Sequence, residues 1–304
     1  GDCDLIIFSA AIKSDNVERA EAKRRGIPEL ERSEALGQLT EGYESVVGIA
    51  GCHGKTTITS MLALICEQGG PDATVHIGGF VDFLNGGVRL GAHDMFITEA
   101  CEYVESFLTL RPTIALINNI DNDHLDYYGD MEHIVAAFKK FAAPLPENGL
   151  LIGNTDDFRV RALMAEHTGR KLSYGMKDAD YTPANITYDD NGCPGFDIMF
   201  RGEKLMHIQL RIPGEHSVMN AIAAAAVARE IGADDKCIVS ALNAFRNTRR
   251  RFEYYGERNG VKYYHDYGHH PSEIAATMKA ASNVKHNKLF CVFQCNSYTR
   301  AKTL

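Results

Sequence analysis

The sequence has no long hydrophobic run, no excess of basic residues and no CxxC cysteine pair. The longest apolar stretch, residues 221–228, falls short of the ~18 residues of a membrane span, and its alanines predict a packed helix. Lys and Arg number 32 against 40 Asp and Glu, a net charge of −8, which disfavours nucleic acid as a partner. The eight cysteines, without pairing or regular spacing, argue against a structural zinc site and a disulfide scaffold, and they favour a cytoplasmic protein.

Repeats and low-complexity tracts are also absent, and what remains is an alternation of strand and helix patterns. The protein has 304 residues, which suffice for about two domains. The alternation predicts an α/β fold with a mostly parallel sheet and helices on both faces. Residues 181–212 predict antiparallel hairpins at the edge of the same domain. The predicted strands are residues 46–50, 95–98, 114–117 and 150–153, and the predicted helices are residues 58–67, 131–142 and 157–167.

Both ends of the sequence predict incomplete α/β units. Residues 5–8 predict a buried parallel strand, followed by a helix that is capped at Asp15 or Asn16 and ends at Gly26. Residues 288–294 predict another strand near the opposite end. Because a parallel strand needs neighbours and covering helices, we expect both termini to be cut edges of larger domains, with a compact chain lacking its initiator methionine as the alternative.

The most specific motif is a phosphate loop, GIAGCHGKTT, at residues 48–57. It departs from the strict pattern at Ile49, but its glycines lie between a predicted strand and a predicted helix, the context such a loop needs. Backbone N–H groups there and the helix N-terminus attract phosphate oxygens. Lys55 can reach the β- and γ-phosphates, and the Thr56 hydroxyl can bind Mg²⁺. A chance glycine turn is the alternative, and we interpret the motif as an ATP site.

Two further polar residues follow neighbouring predicted strands. Glu99 comes after residues 95–98, and His124 follows residues 114–117 within the polar run 118–126. Open α/β sheets bind ligands where their strands end, and Mg²⁺ favours oxygen ligands. We therefore expect Glu99 and His124 to complete a Mg²⁺ site beside the phosphate loop. A helix cap and a structural histidine are the alternatives.

Several stretches, in order along the chain, resemble the Mur ligases, the ATP-dependent amino-acid ligases of bacterial peptidoglycan synthesis. The segment at residues 266–274 (DYGHHPSEI) is similar to the alanine-adding branch of the family. The resemblance implies that L-alanine is joined to the lactyl carboxylate of UDP-N-acetylmuramate through an acyl phosphate. The stretches that carry the resemblance are residues 4–27, 51–57, 99–102, 119–126, 216–221, 250–253 and 266–274.

The resemblance also implies a domain organisation. Residues 1–43 correspond to the end of a UDP-sugar-binding domain, residues 44–247 to the central ATP-binding domain of P-loop type, and residues 248–304 to the beginning of a Rossmann-like C-terminal domain. A hinge is expected near residues 247–251. Because the first half of one outer domain and most of the other are lacking by this comparison, we expect weak ATP binding and poor turnover.

The family's functional residues transfer to matching positions of this sequence, with ATP and Mg²⁺ as cofactors. The implied catalytic residues are Lys55, His124 and His269. The implied nucleotide-binding residues are Gly51, His53, Gly54, Lys55, Thr56, Thr57, His216, Asn220, Arg250 and Asp266. The implied substrate-binding residues are His124, Tyr267, His269 and Arg300, and the implied metal ligands are Thr56, Glu99 and His124. No nucleic-acid or membrane partner is implied.

Two departures from the family pattern leave alternatives open. Cys52 replaces a threonine, and a thiol at a helix N-terminus has a lowered pKa, which suggests an oxidation-sensitive loop or, alternatively, a buried inert cysteine. Residues 295–297 replace Pro-His-Arg, so an arginine partner for the amino-acid carboxylate is lost. A recycling ligase that adds a preformed peptide to UDP-N-acetylmuramate and an inactive nucleotide-binding fragment therefore stay as alternatives.

Overall fold

The computed structural model describes residues 3–246, 248 and 250–295. The strands, in chain order, are β1 (Ile6–Phe8), β2 (Glu29–Glu31), β3 (Ser45–Ala50), β4 (Ala73–Val81), β5 (Gly86–Arg89), β6 (Ala92–Ala100), β7 (Ile114–Ile117), β8 (Leu150–Asn154), β9 (Arg170–Tyr174), β10 (Tyr181–Tyr188), β11 (Pro194–Phe200), β12 (Glu203–Gln209), β13 (Glu253–Arg258) and β14 (Val261–His265).

Helices pack on both faces of the main sheet, and two more pack near β1 and β2. The helices are α1 (Val17–Arg25), α2 (Arg32–Thr40), α3 (Lys55–Glu67), α4 (Leu125–Tyr128), α5 (Met131–Ala142), α6 (Phe158–Glu166), α7 (Glu215–Glu230), α8 (Asp235–Ala244) and α9 (Pro271–Asn283), with 3₁₀ turns at Asp82–Leu84 and Tyr103–Thr109. No helix in these described segments combines the length and apolar character that crossing a membrane requires.

Ten strands form one mixed sheet in the order β12-β11-β10-β9-β8-β7-β3-β6-β4-β5. The six strands from β9 to β4 in that order are parallel. Strands β10, β11 and β12 pair antiparallel at one edge, and β5 pairs antiparallel with β4 at the other. The predicted α/β class, the mostly parallel sheet and the antiparallel hairpins are therefore confirmed, and the structure adds that the hairpins extend this same sheet.

The alternation of side chains along the central strands builds two cores. On β7, Leu116 joins the core formed with α3, α7 and α8. Its neighbours Ala115 and Ile117 join the core with α5 and α6 on the opposite face, as the two-residue period of a strand requires. At Gly48 a Cβ atom would lie 2.9 Å from Cζ of Phe141, so glycine lets this ring pack directly on β3.

The two ends of the chain differ from expectation. Strand β1 pairs parallel with β2, and Asn16 caps α1, which is followed by Gly26 in the left-handed conformation, as predicted. However, β1 belongs to a separate two-stranded sheet with Ile7 55% exposed, so the prediction of a buried strand was wrong. The predicted strand at residues 288–294 is also wrong, because these residues form no ladder with any described strand and Val292 is 99% exposed.

Candidate active site

The phosphate loop joins the end of β3 to the start of α3. Gly51 and Gly54 have φ angles of 136° and 86°, values that a residue with a side chain rarely adopts. A Cβ atom at Gly54 would lie 2.7 Å from Oδ1 of Asn220 and still closer to Nδ2 of Asn118. The loop therefore needs glycine both for its backbone angles and for its close approach to these two buried amides.

Lys55, at the first position of α3, is held in a buried ion pair. Its Nζ lies 2.7 Å from Oε2 of Glu102 and donates to the carbonyl oxygens of Gly51 (2.5 Å) and Cys52 (3.3 Å). Burial opposes the charged form, but the Glu102 carboxylate outweighs it and raises the pKa of Lys55. The site therefore contains a permanent positive charge on the inner side of the loop.

Glu102 is a functional candidate that was absent from the predicted site residues. It is 2% exposed, and its backbone carbonyl accepts a hydrogen bond from the hydroxyl of Tyr128. The only signal in the sequence was its position at the end of the stretch 99–102. Its pairing with Lys55, 47 residues away, is a product of the parallel sheet.

Thr56 and Glu99 form the second contact of the loop. The Thr56 hydroxyl donates to Oε2 of Glu99 at 2.9 Å, and the backbone N–H of Gly78 donates to Oε1 at 2.6 Å. Glu99 lies within β6, which extends beyond the predicted strand 95–98. A hydroxyl and a carboxylate fixed side by side are oxygen donors of the kind that Mg²⁺ prefers, so these residues fit such an ion.

His124, the third predicted metal ligand, lies close to two buried carboxylates. Its Nε2 is 3.7 Å from Oε1 of Glu102 and 3.7 Å from Oδ2 of Asp123. The ligand atoms of Glu102, Asp123 and His124 lie within 4.8 Å of one another. The structure thus groups His124 with Glu102 and Asp123, while Glu99 is bonded to Thr56 and Gly78.

A buried tyrosine, Tyr174, is linked to the phosphate loop through Asn118. The hydroxyl of Tyr174, at the end of β9, donates to Oδ1 of Asn118 at 2.6 Å. The Nδ2 atom of Asn118 in turn donates to the carbonyl oxygen of His53 at 2.8 Å. Sequence reasoning did not find Tyr174, because a tyrosine in a strand carries no local sign that its hydroxyl will bond to Asn118, 56 residues earlier in the chain.

Cys52 is buried rather than activated. Its Sγ donates to the carbonyl oxygen of Asp121 at 3.4 Å and accepts from the Asp121 N–H at 3.2 Å. Burial, reinforced by the negative charge of Glu102, raises the pKa of the Cys52 thiol well above its usual range. The predicted lowering of this pKa was therefore wrong, and the burial of Cys52 favours the alternative of a buried inert cysteine.

His53 connects the phosphate loop to the C-terminal part of the chain. Its Nε2 lies 3.0 Å from Oδ2 of Asp121, and its Nδ1 lies 3.5 Å from Oε1 of Glu273 in the first turn of α9. Burial opposes protonation, but these two carboxylates raise the pKa of His53 to about 9. Arg251 also contacts Glu273, at 3.2 Å.

The predicted residues of the C-terminal part form one linked loop system. The Tyr267 N–H donates to the carbonyl oxygen of Arg250 at 2.8 Å. The Asp266 carboxylate accepts N–H bonds from Phe252 (2.8 Å) and Gly268 (2.6 Å), so it shapes the backbone here. Nδ1 of His269 lies 3.0 Å from the Tyr267 carbonyl oxygen, and its Nε2 is buried with no hydrogen-bond partner in the described part of the chain.

The other predicted residues lie at varying depth around the loop. Asn220 is buried in α7, and its Oδ1 is 3.5 Å from Nδ2 of Asn118. His216 is an exposed residue in the first turn of α7, and Thr57 is half-buried in the first turn of α3. Arg300 lies outside the described residues.

The fold and this loop define an α/β protein with a glycine loop of phosphate-loop type between a parallel strand and a helix. Residues 49–228 match the Mur ligase middle domain, and residues 250–302 match the Mur ligase glutamate ligase domain. Because the first match alone covers more than half of the sequence, the chain belongs to the Mur ligase family.

Within the family, the chain is similar to several individual ligases. The chain is 44% identical to UDP-N-acetylmuramate–L-alanine ligase of Clostridium beijerinckii over 302 residues, which are 99% of this chain and 66% of the relative. It resembles the crystal structure of UDP-N-acetylmuramate–alanine ligase from Thermotoga maritima with a TM-score of 0.80 and 26% identity, over 92% of this chain and 64% of that one. A murein peptide ligase from Psychrobacter arcticus gives a TM-score of 0.74 and 26% identity, over 92% of this chain and 63% of that one. The chain thus spans slightly less than two thirds of the length of these relatives.

Proposed function

We propose that the chain performs the ATP-dependent joining of L-alanine to UDP-N-acetylmuramate. The observation that carries the proposal is the phosphate loop in which Lys55 pairs with Glu102 and Thr56 pairs with Glu99. The identity of 44% to an alanine ligase supports the choice of substrates. As a Mur ligase, the protein would act in the synthesis of peptidoglycan precursors.

Lys55 and the loop backbone would hold the phosphates of ATP. A helix N-terminus such as that of α3 presents backbone N–H groups and favours negative charge. A phosphate oxygen would give Lys55 a second anionic partner beside Glu102, within a buried environment in which charge interactions are strong. Thr57 would border the nucleotide from the first turn of α3, and His216 and Asn220 from the first two turns of α7.

Thr56 and Glu99 would hold Mg²⁺, with Glu102, Asp123 and His124 as a second group of donors nearby. The ion would supply neutralisation of the charge that develops on the transferred phosphoryl group. Glu99 is oriented by the Gly78 N–H, so its carboxylate would not need to reorganise on binding.

The amino acid and the sugar would meet the nucleotide at the junction with the C-terminal part. Tyr267 and His269 stand on the loop beside Glu273, which contacts His53 of the phosphate loop. Nε2 of His269, which has no hydrogen-bond partner among residues 3–246, 248 and 250–295, offers a polar atom for a substrate group. In this proposal the lactyl carboxylate takes the γ-phosphoryl group, and the amine of L-alanine then displaces phosphate, with Arg250, Asp266 and Arg300 as further binding residues. Holding the reactants in place would supply much of the rate enhancement.

The test is phosphate release from ATP with Mg²⁺, UDP-N-acetylmuramate and L-alanine. Release should require all three substrates and should disappear in Lys55→Ala. Lys139→Ala is the matched control, because Lys139 forms an exposed ion pair with Glu166 on α5 and α6. Release that persists in Lys55→Ala would refute the proposed role of the loop, and ATP binding without release would favour the nucleotide-binding fragment.

A recycling ligase is the second candidate, favoured by the TM-score of 0.74 to a murein peptide ligase and by the altered residues 295–297. Replacing L-alanine with a preformed peptide in the same assay separates the two functions. Phosphate release that depends on the peptide and not on L-alanine would replace the first proposal with this one.

A further inference from the structure

A separate cluster of potential metal ligands lies where the phosphate loop meets the C-terminal part of the chain. It consists of His53 from the loop, Asp121 from the segment after β7, and His270, which caps α9. Oδ2 of Asp121 lies 3.0 Å from Nε2 of His53 and 3.6 Å from Nδ1 of His270. All three ligand atoms lie within 4.8 Å of one another.

These spacings suit a single transition-metal ion. With metal–ligand bonds of about 2.0–2.2 Å, tetrahedral geometry separates neighbouring ligand atoms by roughly 3.4 Å. The two distances to Asp121 lie on either side of that value. Only the two imidazoles need to approach each other, and their ring centroids are already 4.8 Å apart.

The second nitrogen of each imidazole is already engaged, in the way that metal-binding histidines require. Nε2 of His270 lies 3.1 Å from the carbonyl oxygen of Asn122, so this nitrogen carries the proton. Nδ1 of the same ring is therefore the unprotonated nitrogen; its lone pair accepts the Ser272 N–H at 3.2 Å, and an ion bound here would take the place of that N–H. Nδ1 of His53 faces the Glu273 carboxylate at 3.5 Å. Carboxylates and carbonyls in these positions orient histidine ligands and increase their basicity.

We propose that His53, Asp121 and His270 form a binding site for Zn²⁺ or a similar borderline divalent ion. Two nitrogen donors and one oxygen donor favour Zn²⁺ over Mg²⁺, which prefers oxygen ligands. The site is distinct from the proposed catalytic ion site, and it differs from the cysteine-based zinc sites that the sequence argues against. Binding would release the proton held by His53 and would replace the Ser272 N–H contact of His270.

The ion would tie three segments together: the phosphate loop, the segment after β7 and the start of α9. Because α9 belongs to the C-terminal part, the ion would hold this part against the loop. This consequence is independent of whether the proposed ligase activity is correct.

The test is a titration of the metal-free chain with Co²⁺, a coloured substitute for Zn²⁺, in excess Mg²⁺ to occupy the oxygen-rich sites. The unmodified protein should bind one equivalent with the visible absorption of a four-coordinate ion, and Zn²⁺ should displace it. Asp121→Asn and His270→Gln should each weaken binding at least tenfold. His133→Gln is the matched control, since His133 pairs with Asp130 at 2.8 Å on an exposed helix turn.

The absence of a visible band in the unmodified protein would overturn the proposal without any variant. Equal affinity in Asp121→Asn, His270→Gln and the control would also overturn it. Loss of binding only in His124→Gln would assign the ion to the group of Glu102, Asp123 and His124 instead. Circular dichroism of each metal-free variant separates weakened binding from misfolding, and Asp121→Asn decides the matter if His270→Gln does not fold, because Asp121 does not cap α9.

Discussion

The buried pair of Lys55 and Glu102 makes a strong prediction about stability. Glu102→Gln keeps the size of the side chain but removes its charge, so Lys55 loses its carboxylate partner. Removing one partner of a buried pair costs about 3–5 kcal/mol. Lys55 keeps its bonds to the carbonyl oxygens of Gly51 and Cys52, so we expect a loss at the low end, about 3 kcal/mol.

The chain supplies a matched comparison on its surface. Lys139 and Glu166 form an ion pair of the same 2.7 Å length, but their side chains are 45% and 62% exposed, against 14% and 2% for Lys55 and Glu102. Exposed pairs contribute at most about 1 kcal/mol, so Glu166→Gln should have a small effect.

Urea unfolding of the two variants and the unmodified protein gives the free energies. The midpoint should fall clearly in Glu102→Gln, with little change in slope. A difference of less than about 1 kcal/mol between the two variants would refute the argument that burial, rather than ion-pair length, sets the cost.

Three more changes test the loop and its supports. Gly54→Ala should destabilise the fold by roughly 1–3 kcal/mol in urea unfolding, because its φ of 86° and the nearby amide of Asn118 exclude a Cβ atom. Tyr174→Phe should cost about 1–3 kcal/mol in the same assay, because Oδ1 of Asn118 is left without its donor. His53→Gln should destabilise the protein at pH 6 more than at pH 10. The raised pKa of His53, about 9 against 6.5 when unfolded, means that its stabilisation is complete below pH 6.5 and is lost as the pH rises through 9.

The same substitutions at positions that lack the proposed contact serve as controls. Gly232→Ala has a similar φ of 91° with no atom within 4 Å of the added Cβ, so a smaller loss there than at Gly54 reports the contact with the amides. Tyr188→Phe removes the hydroxyl of an exposed tyrosine and should be nearly neutral. Equal effects within either pair would contradict the structural explanation. The free energy of unfolding of His53→Gln is measured with a chelator present. If the substitution lowers it equally at pH 6 and at pH 10, the explanation given for His53 is contradicted.

Local sequence patterns predicted the centre of the molecule well. The strand at residues 114–117 and the helix at residues 131–142 have the predicted bounds, because each combines a clear hydrophobic period with turn residues at its ends. The hairpins of residues 181–212 were also predicted. The start of α3 was predicted three residues late, because its first turn consists of polar loop residues whose helical state depends on the loop itself.

The site was predicted in its parts but not in its pairings. Lys55, Thr56, Glu99 and His124 were all singled out from the sequence, and the structure places them around one loop. The grouping of His124 with Glu102, however, depends on how far each strand extends past its neighbour. Strand β6 continues through Glu99, which the predicted strand ending at Thr98 does not include because a charged residue gives no strand signal.

What the amino-acid sequence determined by itself is the set of chemical groups available to this member of the Mur ligase family: a glycine loop after a strand, a lysine and a threonine at the start of a helix, and polar residues after neighbouring strands. These features depend on contacts between residues close in the chain. Tertiary structure alone decided that Glu102 is the buried partner of Lys55, that Tyr174 supports the loop, that Cys52 is inert and that His53 faces Asp121 and His270. Each of these depends on residues that are distant in sequence and are brought together by sheet order, and burial then sets the strength of their interactions.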